Sequence, residues 1–175
     1  MDYTFDAPYY RGHAITVPYL APYQVRNSAL ALLAMEEIDP QHEISLETRL
    51  QAIRDTRWQG RMETVLPGVI VDGAHNEDAV RKLRKTLDEG FSDCRIVYIM
   101  GVLADKDYEK MIQMMFRPGD HVYTVTPKNP RALDGKELER QLLEQKIDAR
   151  YCENVQDAVL YALRDAQKGD MILAF

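Results

Sequence analysis

The residues most able to do chemistry stand together in Asp72-Gly73-Ala74-His75-Asn76. A carboxylate and an imidazole flanking two small residues can hydrogen-bond a ribose or a transferring group, and the small residues let backbone approach a ligand. A helix is expected directly after this stretch. Its N-terminus would offer free amides and partial positive charge to a phosphate or carboxylate. Upstream, Gly60-Arg61-Met62-Glu63 supplies a guanidinium in a basic turn, and Val69-Ile70-Val71 runs as a short apolar strand into Asp72. Loops at the carboxyl ends of parallel strands open into a crevice, where α/β folds bind ligands. The same residues also suit plain structure. Asp72 or Asn76 can cap the helix with His75 as a polar loop residue, and pattern alone favours that reading.

The elements that must position these residues follow from hydrophobic periodicity. From Met62 onward strand and helix alternate regularly, which predicts an α/β fold with a Rossmann-like, mostly parallel sheet flanked by helices. Strands are expected over 62–66 and 69–72, as a hairpin around Pro67-Gly68, and then over 95–100, 121–126, 149–152 and 171–175. Helices are expected over 76–89, 106–116, 136–145 and 155–167, the first with Ala79, Val80, Leu83 and Leu87 on one face. The earlier residues read as one or two short strands within 1–20, turning near Arg11-Gly12. A helix opened by Asn27-Ser28 follows, and a second starts at Ser45-Leu46-Glu47 beyond the break at Asp39-Pro40. An isolated hairpin is marginal in water, so this β/α piece reads as the remnant of a larger domain. With a linker over 54–60, the domains are 1–57 and 58–175. The last strand stops where a loop is expected, so both ends look cut and the chain reads as a fragment.

The chain has 175 residues, a net charge of −6 and 46% hydrophobic residues, enough for one well-cored domain plus a remnant. The acid excess, without any basic run, argues against a nucleic-acid partner. Cys94 and Cys152 are far apart and lack metal-ligand spacing, so they read as two reduced thiols in a cytoplasmic protein. No apolar run approaches a membrane span, and the acidic, aromatic N-terminus is unlike a signal peptide.

Gly60-Arg61-Met62-Glu63, followed at short distance by Asp72-Gly73-Ala74-His75-Asn76, resembles the paired signature opening the C-terminal domain of folylpolyglutamate synthases and dihydrofolate synthases. These are a branch of the Mur-type ATP-dependent amide ligases. The resemblance implies that Arg61 faces the phosphates of ATP, that Asp72 faces its ribose, and that His75 lies where the incoming amino acid meets the acyl phosphate. Met100-Gly101-Val102-Leu103-Ala104-Asp105-Lys106-Asp107 is similar to the family's Ala-Asp-Lys-Asp loop, which implies that Lys106 contacts phosphate or a substrate carboxylate. A surface lysine beside acidic neighbours at a helix start is the plain alternative. Thr126-Pro127-Lys128-Asn129-Pro130-Arg131 resembles the superfamily's Asn-Pro-Arg element, with Lys128 where an aspartate is common. That implies Arg131 as the reader of the glutamate carboxylate, onto which a guanidinium forks well. Pro22-Tyr23-Gln24-Val25-Arg26-Asn27 is similar to the segment before the last helix of the central domain, though Ala21-Pro22 replace its usual glycine. By that likeness Asn27 lies near the adenine; as a plain residue it would cap a helix. Ile172-Leu173-Ala174-Phe175 looks like the strand leading into the family's C-terminal loop.

The resemblance implies a monomeric, cytoplasmic ligase that uses ATP and Mg2+ to add L-glutamate to folate through an acyl phosphate. Its partner would be the N-terminal ATPase domain of its own enzyme. No Gly-x-x-x-x-Gly-Lys-Ser/Thr loop occurs here, and no carboxylate–histidine cluster suits magnesium, so both are expected in that domain and the chain alone is expected to be inert. The alternatives are another Mur-type ligase, building peptidoglycan or cyanophycin, and a free-standing Rossmann-like binding or dimerisation module.

Overall fold

The computed structural model describes residues Met1–Phe175. The chain forms two compact units, Met1–Glu63 and Thr64–Phe175.

In the second unit a sheet of six strands has the order β3-β4-β8-β5-β6-β7. β3 (Glu63–Leu66) and β4 (Val69–Val71) are hydrogen-bonded neighbours joined through Pro67-Gly68. Gly68 takes φ 77 there, a conformation that costs glycine little. All later pairings are parallel: β4 with β8 (Met171–Ala174), β8 with β5 (Ile96–Met100), β5 with β6 (His121–Thr124), and β6 with β7 (Asp148–Tyr151). α3 (Glu77–Gly90), α4 (Tyr108–Met115) and α5 (Gly135–Glu144) follow β4, β5 and β6, crossing the sheet in one direction. α6 (Val155–Asp165) makes the return from β7 to β8, so the right-handed crossover rule sends it to the opposite face.

The side chains agree with that division. Val97, Ile99, Tyr123, Val125 and Ile172 pack with Ala158 and Ala162 of α6, whose small side chains admit the helix close to the sheet. Tyr98 turns the other way, with its ring edge-on to Phe116 at 5.0 Å. Thr124 Oγ1 donates to the carbonyl of Gly135 at 2.8 Å on that same face. Every residue of β5 is buried, as a strand covered on both faces must be. Val80, Leu83 and Leu87 are buried on α3, and Met111, Ile112 and Met115 on α4. Each such side chain contributes about 1.5–3 kcal/mol relative to exposure.

The first unit pairs β1 (Asp2–Thr4) antiparallel to β2 (Ala14–Thr16) and adds α1 (Tyr23–Ile38) and α2 (Leu46–Asp55). Tyr10, Ile15 and Leu32 form its core with Ala7. The Arg49 side chain is 1% exposed, pairs with Glu36 and with Asp39 at 2.8 Å, and donates to Tyr10 Oη at 2.9 Å. These bonds tie α2 to the end of α1 and to the turn after β1. A hydrogen bond from the Ile44 amide, with lesser ones from Arg49 and the Glu43 amide, holds the Asp39 carboxyl below its ordinary range against the opposing effect of burial.

Two helix starts differ from the sequence expectation. α1 begins at Tyr23, so Asn27 lies inside it and caps nothing. Pro22 opens the helix instead: its φ of −58 is already helical and its missing amide is not needed in the first turn. α4 begins at Tyr108 with Asp107 as its cap, so Lys106 belongs to the preceding turn and not to the helix.

Candidate functional site

The carboxyl ends of the parallel strands carry three loops from which the expected chemistry projects. After β4 the ladder continues one step, with the Asp72 amide donating to Ala174 O at 2.9 Å. Asp72 is 5% exposed, and Ala74 is buried beside it. The helix cap is Asn76, whose Oδ1 accepts from the Ala79 amide at 2.9 Å. His75 is exposed, with Nδ1 at 2.8 Å from Gly73 O. A carbonyl only accepts, so that contact places the proton on Nδ1 and leaves Nε2 of a neutral ring as an acceptor.

The loops after β5 and β6 are joined to each other. The Ala104 amide donates to Arg131 O at 2.8 Å, and the Leu133 amide to Val102 O at 2.9 Å. Leu103 and Ala132 form an antiparallel bridge between those bonds. The approach depends on Gly101, where an added Cβ would stand 2.9 Å from Pro127 Cγ and 3.0 Å from Val125 Cγ2. The Gly101 amide also donates to Phe175 O at 3.2 Å, which ties the end of β8 to the same edge.

The charges on these loops have definite partners. Arg131 Nη1 meets Asp105 Oδ2 at 3.0 Å, and its backbone amide donates to Asn129 Oδ1 at 2.9 Å. Asp107 pairs with Lys110 at 2.5 Å, and that hydrogen bond holds its carboxyl below the usual range. Both acidic neighbours of Lys106 are thus engaged elsewhere, while Lys106 is half-buried with its amide donating to Leu103 O at 3.1 Å. Spacing did not single out Asp105 as a partner for Arg131. Its signal lies in the fold, which brings two loops together across the strand ends.

The other two expected residues belong to the first unit. Asn27 is exposed on α1, and its Nδ2 donates to Gln24 Oε1 at 2.8 Å. Arg61 is half-buried in a bend between Gly60 at φ 65 and Met62 at φ 47. The Gly60 amide donates to Glu63 Oε2 at 2.7 Å and fixes that bend. No group of three or more His, Cys, Asp or Glu is gathered to hold a metal ion. A groove of about 510 Å³ lies between the later turns of α3 and α4, lined by Arg81, Arg84, Asp88 and Arg117 among others. None of the expected residues lines it, and Asp88 neutralises Arg84 at 2.8 Å and Arg117 at 3.8 Å. No helix is long and apolar enough to cross a membrane.

A mostly parallel sheet flanked by helices, with a carboxylate, an imidazole and cations on the loops at its carboxyl ends, defines a Rossmann-like α/β domain. Comparison with known proteins makes the class specific. Residues 60–175 match the family described as Mur ligase, glutamate ligase domain, and the chain belongs to that family. It is 33% identical over 128 residues to the dihydrofolate synthase/folylpolyglutamate synthase of Bacillus subtilis, covering 71% of this chain and 30% of that protein. It is also 33% identical over 142 residues to the UDP-N-acetylmuramoyl-L-alanyl-D-glutamate–2,6-diaminopimelate ligase of Geobacillus kaustophilus, covering 74% of this chain and 28% of the relative. Among solved structures, the Mycobacterium tuberculosis folylpolyglutamate synthase complexed with ADP superposes with a TM-score of 0.79 at 27% identity, over 93% of this chain and 40% of that one. The Yersinia pestis bifunctional folylpolyglutamate synthase/dihydrofolate synthase with Mn, AMPPNP and L-glutamate bound gives a TM-score of 0.74 at 26% identity, over 93% and 38%. The chain therefore spans about a third of the length of the curated relatives it matches.

Proposed function

We propose that this chain serves in an ATP-dependent ligase that adds L-glutamate to folates, with dihydrofolate synthesis as a second reaction of the same chemistry. The observation that carries the reading is the joined pair of loops holding Lys106 and Arg131 at the strand ends, on the same edge as the Asp72–Asn76 loop. Lys106 and Arg131 are the cations for the carboxylates of an incoming glutamate, Lys106 as a compact charge and Arg131 as a fork. His75 Nε2 takes the proton that the glutamate amine must lose to become a nucleophile. ATP, when bound, would activate the folate carboxyl as an acyl phosphate with release of ADP, and phosphate would leave as the glutamate amine forms the amide.

The residues assigned to the nucleotide are chemically suited to it. Asp72, as a carboxylate, accepts from ribose hydroxyls; Arg61 donates to phosphate; Asn27 offers both donor and acceptor to adenine. We assign no residue of this chain to magnesium. We assign the phosphate-binding loop and the metal ligands to an N-terminal ATPase part working with this domain in a monomeric, cytoplasmic enzyme. The domain itself occupies 58–175, after the end of a central domain over 1–57.

Similarity to the diaminopimelate ligase supports a second reading, a peptidoglycan-building enzyme. Ligase assays of the full-length protein separate the two. ADP release with dihydropteroate or tetrahydrofolate plus glutamate supports the folate reading. Release only with a UDP-muramoyl peptide plus diaminopimelate replaces it, and no turnover with either refutes both. Arg61→Ala and Asp72→Ala are each expected to cut turnover by at least tenfold, about 1.4 kcal/mol of barrier, with folding retained. Wild-type turnover in both variants would sink the site assignment.

A further inference from the structure

We propose that Asp105 is a positioning residue that presents the Arg131 guanidinium to the carboxylate of the amino-acid substrate. The inference rests on the ligase reading and adds to it a residue that recognises nothing itself. Arg131 has five N–H donors, and the contact with Asp105 uses one nitrogen, Nη1 to Oδ2 at 3.0 Å. That grip leaves the Nε–Nη2 edge of the same plane to form two parallel hydrogen bonds with a carboxylate.

The two side chains are held at their roots as well. The carbonyl of Arg131 accepts from the amide of Ala104, the residue before Asp105. The Arg131 amide is fixed by Asn129 Oδ1 at 2.9 Å, and the Leu103–Ala132 bridge adjoins both. The Asp105 side chain is 45% exposed and that of Arg131 62%, so the ion pair adds little to stability. Its remaining consequence is orientation. A long arginine side chain without a partner samples many rotamers, and each capture of substrate must then order it again.

Steady-state kinetics of the full-length protein test the proposal. Asp105→Ala is expected to raise the KM for glutamate by about fivefold to tenfold, the loss of roughly one charge-assisted hydrogen bond's worth of ordering. The KM for ATP should stay within about twofold, and kcat should change less than the glutamate KM. Asp105→Glu, which retains the carboxylate, should recover most of the loss, whereas Asp105→Asn should recover little. In an Arg131→Ala background, Asp105→Ala should add nothing further. An equal rise in both KM values, or fully additive losses in the double variant, overturns the positioning role. Robust turnover with an unchanged glutamate KM in Asp105→Ala overturns it while leaving the ligase reading intact. Wild-type ATP turnover that does not depend on an amino acid overturns the ligase reading itself, and this assignment with it.

Discussion

Replacing Gly101 by alanine should loosen the joint between the two loops that carry the candidate cations. The added Cβ would sit 2.9 Å from Pro127 Cγ and 3.0 Å from Val125 Cγ2, where carbon atoms prefer roughly 3.5–4.0 Å. Neither neighbour can rotate away cheaply. Pro127 is a ring fixed in the chain, and Val125 is buried against α6. The loops must separate by about 0.5–1 Å, and overpacking of that kind typically costs 1–3 kcal/mol. The same separation stretches the Leu133–Val102 and Ala104–Arg131 hydrogen bonds from 2.9 and 2.8 Å toward the limit of useful geometry. Losing one or both of them adds about 0.5–1.5 kcal/mol each. The expected total is about 1.5–6 kcal/mol, measured as a lower urea midpoint at unchanged m-value. Gly90→Ala is the control: its added Cβ meets nothing within 4 Å, and φ is not left-handed there. Its effect should lie within about 1 kcal/mol, on the stabilising side. A Gly101→Ala midpoint matching that of the wild type would refute the packing account of the joint.

Two further outcomes test other parts of the fold. Asn76→Ala removes the acceptor for the Ala79 amide and should cost about 1 kcal/mol, read in the same urea titration, while Asn76→Asp should retain most of the stability. Burial, and then Asp120, push the Tyr98 phenol up to about 12, partly offset by Arg84. The unfolded chain loses that proton near pH 10, so the stabilising difference is complete below pH 10 and is lost as pH rises from about 10 to 12. Tyr98→Phe should make stability fall less steeply with pH across that window, in urea titrations at fixed ionic strength. An unchanged slope would show that Tyr98 ionises equally in both states.

The strand–helix alternation after Met62 was legible because each element buries one face at its own period. Leu83 and Leu87 on α3 and the wholly buried β5 are direct products of that pattern. A cap at the start of α3 was legible as Asp72 or Asn76, and the structure uses Asn76. Asn27 shows the limit: an equally good cap residue lies inside α1 because Pro22 sets the start earlier. The order of strands could not be read, because nothing local says that Met171–Ala174 fits between β4 and β5. The Asp105–Arg131 pair was hidden for a related reason. Each residue stands in a strand-end loop, but their meeting depends on a glycine whose importance lies in what approaches it.

The position of β8 governs how this domain can come into being. Ile70 pairs with Leu173, and Tyr98 with Leu173 from the other side, so β4 and β5 never touch and communicate only through the last strand of the chain. Before β8 inserts, two apolar strands each present an open hydrogen-bonding edge, the kind of surface that recruits other chains. Closing the gap requires contacts between residues about a hundred positions apart, a slow step for a chain to find. A molecule interrupted short of Met171 would therefore be more than a shorter domain. It would be an adhesive one, with its two halves competing for any strand that arrives first.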